Sequence, residues 1–251
     1  MSLKGGKILS ITSVKGGTGK STTLLNMAGV YATLGKKVLI IDLDLYAGAI
    51  ATSLNISNDT DIYKLTDDIS NNRFKSLESY IVKYNDLIDV IPSNRDPRNA
   101  NRINSNCVDI LLSKVKIKYD VVLIDTNNTM SSYNLVAFDK SDYIIYVMTN
   151  NPIDLKSMRS MTSIYKDMEK ENYCIVLNDA REIQKECFTK KDIVNIINHD
   201  IDLHLPDSFY IKNIDQYLMA GEIMTMNKKI RSNHKKTIKE LENFCLQLLE
   251  E

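Results

Sequence analysis

The stretch that decides the fold is Lys15-Gly16-Gly17-Thr18-Gly19-Lys20-Ser21-Thr22. It stands between an apolar run at residues 8–14, which predicts a buried strand, and an amphipathic stretch at residues 20–34, which predicts a helix. Glycines in such a turn let backbone N–H groups point at an anion at the amino end of the helix. Lys20 can then neutralise nucleotide phosphates, and the Ser21 hydroxyl can bind Mg²⁺. The stretch therefore predicts a phosphate-binding turn.

The rest of the chain alternates short apolar runs with longer amphipathic stretches. The predicted strands cover residues 8–14, 38–41, 87–91, 121–124, 143–148 and 174–177. The predicted helices cover residues 20–34, 103–115, 154–169, 190–197 and about 226–249. Runs that are apolar throughout suit strands covered on both faces, so the pattern predicts an α/β fold with a doubly wound, mostly parallel sheet. We expect one domain over residues 1–251, with residues 1–6 flexible or foreign to the protein and residues 57–85 forming a surface excursion.

Composition excludes several classes of protein. Hydrophobic residues make up 43% of the chain and charged residues 25%, which is ordinary for a globular domain and unlike a disordered or fibrous chain. Lys plus Arg and Asp plus Glu number 32 each, so binding to nucleic acid or acidic lipid would need a local patch. The cysteines form no CxxC pair, which predicts reduced thiols at Cys107, Cys174, Cys187 and Cys245. No apolar run approaches the roughly 18 residues that span a bilayer, and we expect a cytoplasmic protein.

The phosphate-binding turn resembles the deviant Walker A motif of the ParA/MinD superfamily of P-loop ATPases. The superfamily pattern KGGxGK[ST] stands complete at residues 15–21, whereas the ordinary P-loop pattern would place a glycine where this chain has Val14. The resemblance implies ATP and Mg²⁺ as ligands and slow ATP hydrolysis. It also implies a homodimer with ATP at the interface, in which Lys15 reaches the phosphates of the partner's nucleotide.

Two of the predicted strands end in carboxylates. Asp42 and Asp44 follow the second strand and can face the same crevice, because residues two apart share a face of an extended chain. The resemblance implies that Asp42 contributes to the magnesium shell and that Asp44 orients or activates the attacking water. A pair of acids that merely caps a turn is the alternative. Asp125 has the form of a Walker B acid, and Asn127-Asn128 follows it where the superfamily has a proline-containing turn.

The resemblance extends to the site for the base. Asn178 follows a strand, and an amide can pair with the edge of adenine, although asparagine there is also a common turn former. Pro206 resembles the superfamily's proline near the base. The residues predicted to bind nucleotide are Lys15, Gly16, Gly17, Thr18, Gly19, Lys20, Ser21, Thr22, Asn178 and Pro206. Those predicted to catalyse hydrolysis are Lys15, Lys20 and Asp44, and those predicted to hold Mg²⁺ are Ser21, Asp42 and Asp125.

The last predicted helix has a basic side and an apolar side. Its basic residues are Lys228, Lys229, Arg231, Lys235, Lys236 and Lys239. Three interpretations compete: packing on the sheet with a solvated basic face, contact with an acidic membrane, and non-specific DNA binding.

Within the superfamily, the chain most resembles the CpaE/TadZ branch, which localises and helps to assemble Tad/Flp pili. The resemblance rests on residues 42–45 (Asp-Leu-Asp-Leu), on Gly48, and on the region of Pro92 and Arg98 that leads through a helix into the strand at residues 120–125. This resemblance implies a dimeric switch ATPase that positions or assembles a pilus or secretion machine through protein partners, recruited to the inner membrane face or a cell pole. The alternatives are a ParA-type ATPase for plasmid or chromosome partition, a MinD-like regulator of septum site or flagellar number, and a tyrosine autokinase. The autokinases usually end in a tyrosine cluster, and this chain has no tyrosine after Tyr217.

Overall fold

The computed structural model describes residues 5–179, 188–209 and 214–250. The strands in this part of the chain are β1 (Lys7–Thr12), β2 (Val38–Leu43), β3 (Val82–Lys83), β4 (Ile88–Ile91), β5 (Val121–Thr126), β6 (Tyr143–Met148), β7 (Tyr173–Asn178) and β8 (Leu203–Leu205). They form one sheet in the order β3-β4-β2-β5-β1-β6-β7-β8. Every neighbouring pair is parallel except β3 and β4. The predicted α/β fold with a mostly parallel sheet is confirmed.

Helices cover both faces of the sheet. Those in the described ranges are α1 (Lys20–Thr33), α2 (Ile50–Ser53), α3 (Ile62–Ser70), α4 (Ser105–Val115), α5 (Ser132–Lys140), α6 (Pro152–Asp167), α7 (Lys190–Ile197), α8 (Ile214–Met219), α9 (Lys228–Asn233) and α10 (Lys235–Glu250). Consecutive residues of β1 pack against different layers of helices. Ile8 is buried in the cluster that contains residues of α3 and α4, and Leu9 is buried in the cluster that contains residues of α1 and α10. None of these helices combines the length and apolar character needed to cross a bilayer.

Strand register brings the motif-bearing loops together. In the pairing of β1 with β5, Ile11 lies opposite Asp125, and in the pairing of β2 with β5, Asp42 lies opposite Asp125. The three strands therefore end at the same edge of the sheet, where ligands bind in doubly wound folds.

Gly6, just before β1, already donates its N–H to the Lys116 carbonyl at 2.7 Å. Residues 1–4 and Cys187 lie outside the described residues, and Cys107, Cys174 and Cys245 are buried thiols that form no disulfide within the described ranges.

Residues 57–85 are not a surface excursion, so that expectation is wrong. The Asp61 side chain caps α3 by accepting the Lys64 N–H at 2.8 Å. Ile62 and Leu65 then become fully buried on the sheet. Ile62, Leu65 and Ile69 recur at helical spacing, but the polar residues between them obscure which side of the helix is buried.

Two predicted boundaries also differ from the structure. The predicted strand at residues 8–14 ends at Thr12, because the chain turns at Ser13 to begin the phosphate-binding turn. The predicted helix at residues 226–249 is two helices, α9 and α10, separated at His234. The apolar side of α10 is buried in the core, with Ile238, Leu241, Phe244, Cys245 and Leu248 all under 6% exposed. Packing on the sheet is therefore the correct interpretation of that side.

Candidate functional site

The backbone of the phosphate-binding turn borders an open cradle. Gly17 and Gly19 have φ angles of 81° and 90°, in the left-handed region that favours glycine. A Cβ added to Gly16 or Gly17 would meet no atom within 4 Å. Gly16 and Gly17 thus face open space next to the amino end of α1, and side chains at these positions would occupy that space. This geometry fits a bound phosphate chain.

Lys20 and Ser21, the first residues of α1, lie beside Asp125 at the end of β5. The Ser21 hydroxyl donates to Asp125 Oδ2 at 2.5 Å. The other oxygen, Oδ1, is buried and has no hydrogen-bond partner within the described ranges. Burial raises the pKa of Asp125 to about 7, although the Ser21 hydrogen bond and the Lys20 charge act in the opposite direction. An orphaned carboxylate oxygen beside a hydroxyl offers the oxygen ligands that Mg²⁺ prefers, so this pair fits a magnesium ion.

Asp42 and Asp44 shape the turn between β2 and α2. Both oxygens of Asp42 are occupied: Oδ1 accepts the Asp44 N–H at 3.1 Å and Oδ2 accepts the Ile50 N–H at 3.2 Å. Burial, followed by the charge of Asp125, raises the pKa of Asp42 well above its ordinary value. Asp44 is partly exposed, and its Oδ1 accepts the Ala47 N–H at 3.2 Å. Both acids therefore have the turn-capping role that was the alternative. The strand register also places Asp42 opposite Asp125, and the charge of Asp44 raises the pKa of Asp125.

Carboxylates alone do not form a metal site in the described residues. No group of three His, Cys, Asp or Glu side chains converges there as a metal site. Ser21 and Asp125 are in direct contact, whereas Asp42 uses its oxygens for backbone N–H groups. A magnesium ion at this position would complete its shell with phosphate oxygens and water, as is common for this ion.

Lys15 stands at the rim of the cradle and faces a buried acid. Its side chain is 44% exposed, and its Nζ lies 3.9 Å from Asp154 Oδ1. Asp154, in the first turn of α6, is fully buried, and its Oδ2 accepts the backbone N–H and hydroxyl of Thr149 at 3.2 and 2.5 Å. Sequence reasoning missed Asp154, because an acid in the first turn of a helix is common and does not indicate what it faces.

Of the two residues predicted to contact the base, Asn178 is in contact with the phosphate-binding turn, whereas no residue of that turn lines the groove beside Pro206. Asn178 Nδ2 donates to the Thr18 carbonyl at 2.8 Å, and Asn178 Oδ1 is buried without a hydrogen-bond partner among the residues described. Asn178 thus braces the turn and keeps one acceptor that can receive the amino group of a base. Thr22 is half-buried in the first turn of α1. Pro206 follows β8 and lines a groove of about 710 Å³ with α10.

Known proteins resemble this chain in sequence and in fold. A family described as "AAA domain" matches residues 6–177, which is more than half of the chain. The chain belongs to the ParA/MinD superfamily of P-loop ATPases. The septum site-determining protein MinD of Bacillus subtilis is 25% identical over 260 aligned positions, covering 98% of this chain and 93% of that protein.

Other members of the superfamily are also similar. The virulence plasmid ParA family protein pGP5-D of Chlamydia psittaci is 30% identical over 162 residues, which span 62% of this chain and only 61% of that protein. A crystal structure of a ParA family ATPase from Chlorobium tepidum superposes with a TM-score of 0.78 at 20% identity, covering 96% of this chain and 98% of that one. MinD of Pyrococcus horikoshii, solved as a complex with Mg-ADP, has a TM-score of 0.76 at 18% identity, covering 97% and 96% of the two chains. At these identities the two structures show that the fold is shared.

Proposed function

We propose that this ParA/MinD superfamily member is a switch that binds ATP and Mg²⁺, dimerises around the nucleotide and hydrolyses it slowly. The observation that carries the proposal is the position of Lys15. Its side chain is 44% exposed at the rim of an open cradle, and its contact with Asp154 is long at 3.9 Å. A lysine held this loosely can extend to the phosphates of a second subunit, where it would neutralise charge as an arginine finger does.

The remaining side chains divide the work within one subunit. Lys20 neutralises the phosphates at the amino end of α1, and Ser21 with Asp125 holds the magnesium ion. Bound Mg²⁺ would neutralise charge that develops on the phosphates during hydrolysis. Asp44 is the acid left partly exposed at the mouth of the site, so it is the residue proposed to orient the attacking water. The Mg-ADP complex of the Pyrococcus MinD supports these ligands.

Light scattering of the purified protein tests the switch. With ATP and Mg²⁺ we expect a dimer, and with ADP a monomer. Lys15→Ala should bind ATP and remain monomeric, whereas Lys20→Ala should lose ATP binding. Lys83→Ala, which removes an exposed lysine on the edge strand β3, is the matched control and should behave as the unchanged protein. A Lys15→Ala protein that still dimerises with ATP would refute the assignment.

For the cellular role, we propose that the switch positions or assembles a larger machine in the cytoplasm, recruited to the inner membrane face or a cell pole. The pilus or secretion assignment, through the CpaE/TadZ resemblance, depends on residues 42–45, on Gly48 and on the region of Pro92 and Arg98. A Cβ on Gly48 would lie 2.3 Å from the Ser93 Cβ and 2.9 Å from Asp42 Oδ2. Glycine is therefore required there by packing, which reduces its value as evidence for one branch.

The partition alternative has structural support of its own. Five lysines of α9 and α10 are exposed, and no carboxylate of the described chain lies within the 4 Å of an ion pair: Lys228, Lys229, Lys235, Lys236 and Lys239. Arg231 differs, because it contacts Glu242 at 2.5 Å. Since the apolar side of α10 is buried, this surface presents positive charge but no apolar side chains that could insert into a bilayer. Such a surface suits DNA phosphates better than lipid.

Two experiments separate the roles. Affinity capture with Asp44→Ala in ATP should recover pilus or secretion components if the first role is correct, or division-site proteins if the MinD-like alternative is correct. For partition, binding to non-specific duplex DNA should need ATP and fall steeply with salt, and replacement of Lys235 and Lys236 by Gln should reduce the salt slope by about 2. DNA binding that ignores these two lysines would contradict the partition assignment for this surface.

A further inference from the structure

The loop after β5 is held by one buried amide. Asn127 is 6% exposed and stands two positions after Asp125. Its Oδ1 accepts the Thr129 N–H at 3.0 Å, the Thr129 hydroxyl at 2.6 Å and Asn134 Nδ2 at 2.8 Å. The Asn134 amide also donates to the Thr129 carbonyl at 2.8 Å. A single side-chain oxygen thus joins the end of a strand, the loop and the first turn of α5.

These contacts fix the orientation of both amides. A backbone N–H can only donate, so the atom of Asn127 that faces Thr129 is the oxygen. A backbone carbonyl can only accept, so the atom of Asn134 that faces Thr129 is the nitrogen. The network is therefore self-consistent, and a side chain without an acceptor at position 127 would remove the acceptor that these three donors share.

The backbone of Asn127 is held separately from its side chain. The Thr12 hydroxyl donates to the Asn127 carbonyl at 3.3 Å, and the Thr126 hydroxyl donates to the Ile11 carbonyl at 2.9 Å. These two hydrogen bonds tie the ends of β1 and β5 together just before the phosphate-binding turn. Truncation of the Asn127 side chain should therefore release the loop while leaving Asp125 in place.

The loop reaches the phosphate-binding turn. Asn128, Thr129 and Met130 are exposed, and Met130 is 52% exposed. Asn128 and Met130 line a groove of about 200 Å³ together with Ser13 and Val14. The loop held by Asn127 thus lies against the two residues that precede the phosphate-binding turn.

We propose that Asn127 is a positioning residue that couples the phosphate site to the loop at residues 127–131 and to α5. The inference rests on the proposed ATPase function. Asp125 contacts Ser21 directly, so a shift of the strand end when ligand binds is transmitted through Thr126 to Asn127 and then to Thr129 and Asn134. A loop already fixed by these hydrogen bonds loses less conformational entropy when it closes over the phosphates. The hydrogen bonds therefore support hydrolysis more than nucleotide binding.

The test compares Asn127→Ala, Thr129→Ala and Thr129→Ser in the full chain. The control is Asn106→Ala, which removes an exposed amide in the first turn of α4. We expect Asn127→Ala to lower kcat about tenfold, with the Kd for ATP changed less than twofold and faster hydrogen exchange in residues 127–135. Thr129→Ala should show the same changes to a smaller extent, because it removes one donor on an exposed residue. Thr129→Ser keeps both donors and should leave kcat and exchange unchanged, as should Asn106→Ala.

Three results would overturn the proposal: unchanged hydrogen exchange in the loop, unchanged kcat, or a loss of ATP affinity that matches the loss of kcat. If Asn127→Ala fails to fold, the contrast of Thr129→Ala with Thr129→Ser decides the question, because that residue is exposed. If the unchanged protein neither binds nor hydrolyses ATP, the proposed function fails and the coupling to hydrolysis fails with it. Hydrogen exchange would then still report whether Asn127 holds the loop.

Discussion

The stability of the ligand-free protein should fall as the pH rises through neutrality, because of one buried carboxyl. Asp125 is 0% exposed, and burial raises its pKa from 3.8 to about 7. The folded state therefore binds the proton more tightly than the unfolded chain does. The stabilisation by this proton is fully present below pH 3.8 and is lost as the pH rises through about 7.

The size of the effect follows from the two pKa values. A difference of about three units corresponds to about 4 kcal/mol between the extremes of pH. Between pH 5.5 and pH 7.5 the linkage relation gives a loss of about 2 kcal/mol in the free energy of unfolding. In a protein of this size such a loss lowers the thermal midpoint by about 4–8 °C. Asp42, whose pKa is also raised by burial and by Asp125, contributes in the same direction.

Thermal and urea denaturation at the two pH values, without nucleotide or Mg²⁺, measures this loss. Asp125→Asn keeps the shape of the side chain without its titration, so it should remove about 2 kcal/mol of the pH dependence and stabilise the protein at pH 7.5. Asp86→Asn, at an exposed acid between β3 and β4, is the matched control and should keep the full dependence. Mg²⁺ with ADP should oppose the effect, because a bound cation favours the carboxylate. An Asp125→Asn protein with the pH dependence of the unchanged protein would refute the reasoning.

Three further substitutions test contacts around the cradle. Gly48→Ala should destabilise the protein by about 1–3 kcal/mol in urea denaturation, because its Cβ would approach a neighbouring side-chain carbon to 2.3 Å; a loss below about 0.5 kcal/mol would contradict this packing. Asp154→Asn removes the charge that faces Lys15 at 3.9 Å, so ATP-dependent dimers should form at a several-fold lower protein concentration, and weaker dimerisation by light scattering would show that the acid aids assembly instead. Asn178→Ala removes the hydrogen bond to the Thr18 carbonyl and should weaken ATP binding about five- to tenfold by calorimetry, whereas unchanged affinity would exclude Asn178 from the site.

The parts of the site that could be predicted are those written in consecutive residues. Residues 15–22 specify their own turn, because the glycines permit its backbone angles and the helix that follows presents its N–H groups to the same point. Strands apolar on both faces likewise indicate a parallel sheet before any contact is known, since such strands must be covered twice. Asp125 could be placed at the cradle on the same grounds, because the ends of parallel strands meet at one edge.

Contacts between distant positions were decided by the tertiary structure. Lys15 and Asp154 lie 139 positions apart, and Thr18 and Asn178 lie 160 apart. Each pair meets because the order of the strands places β6 beside β1 and β7 beside β6. Hydrophobic periodicity tells which face of an element is buried, but it does not tell which residue of another element lies opposite. For the same reason the sequence by itself determined the phosphate-binding turn and the layered sheet. The acid that faces Lys15 and the brace from Asn178 depended instead on register and packing across the domain.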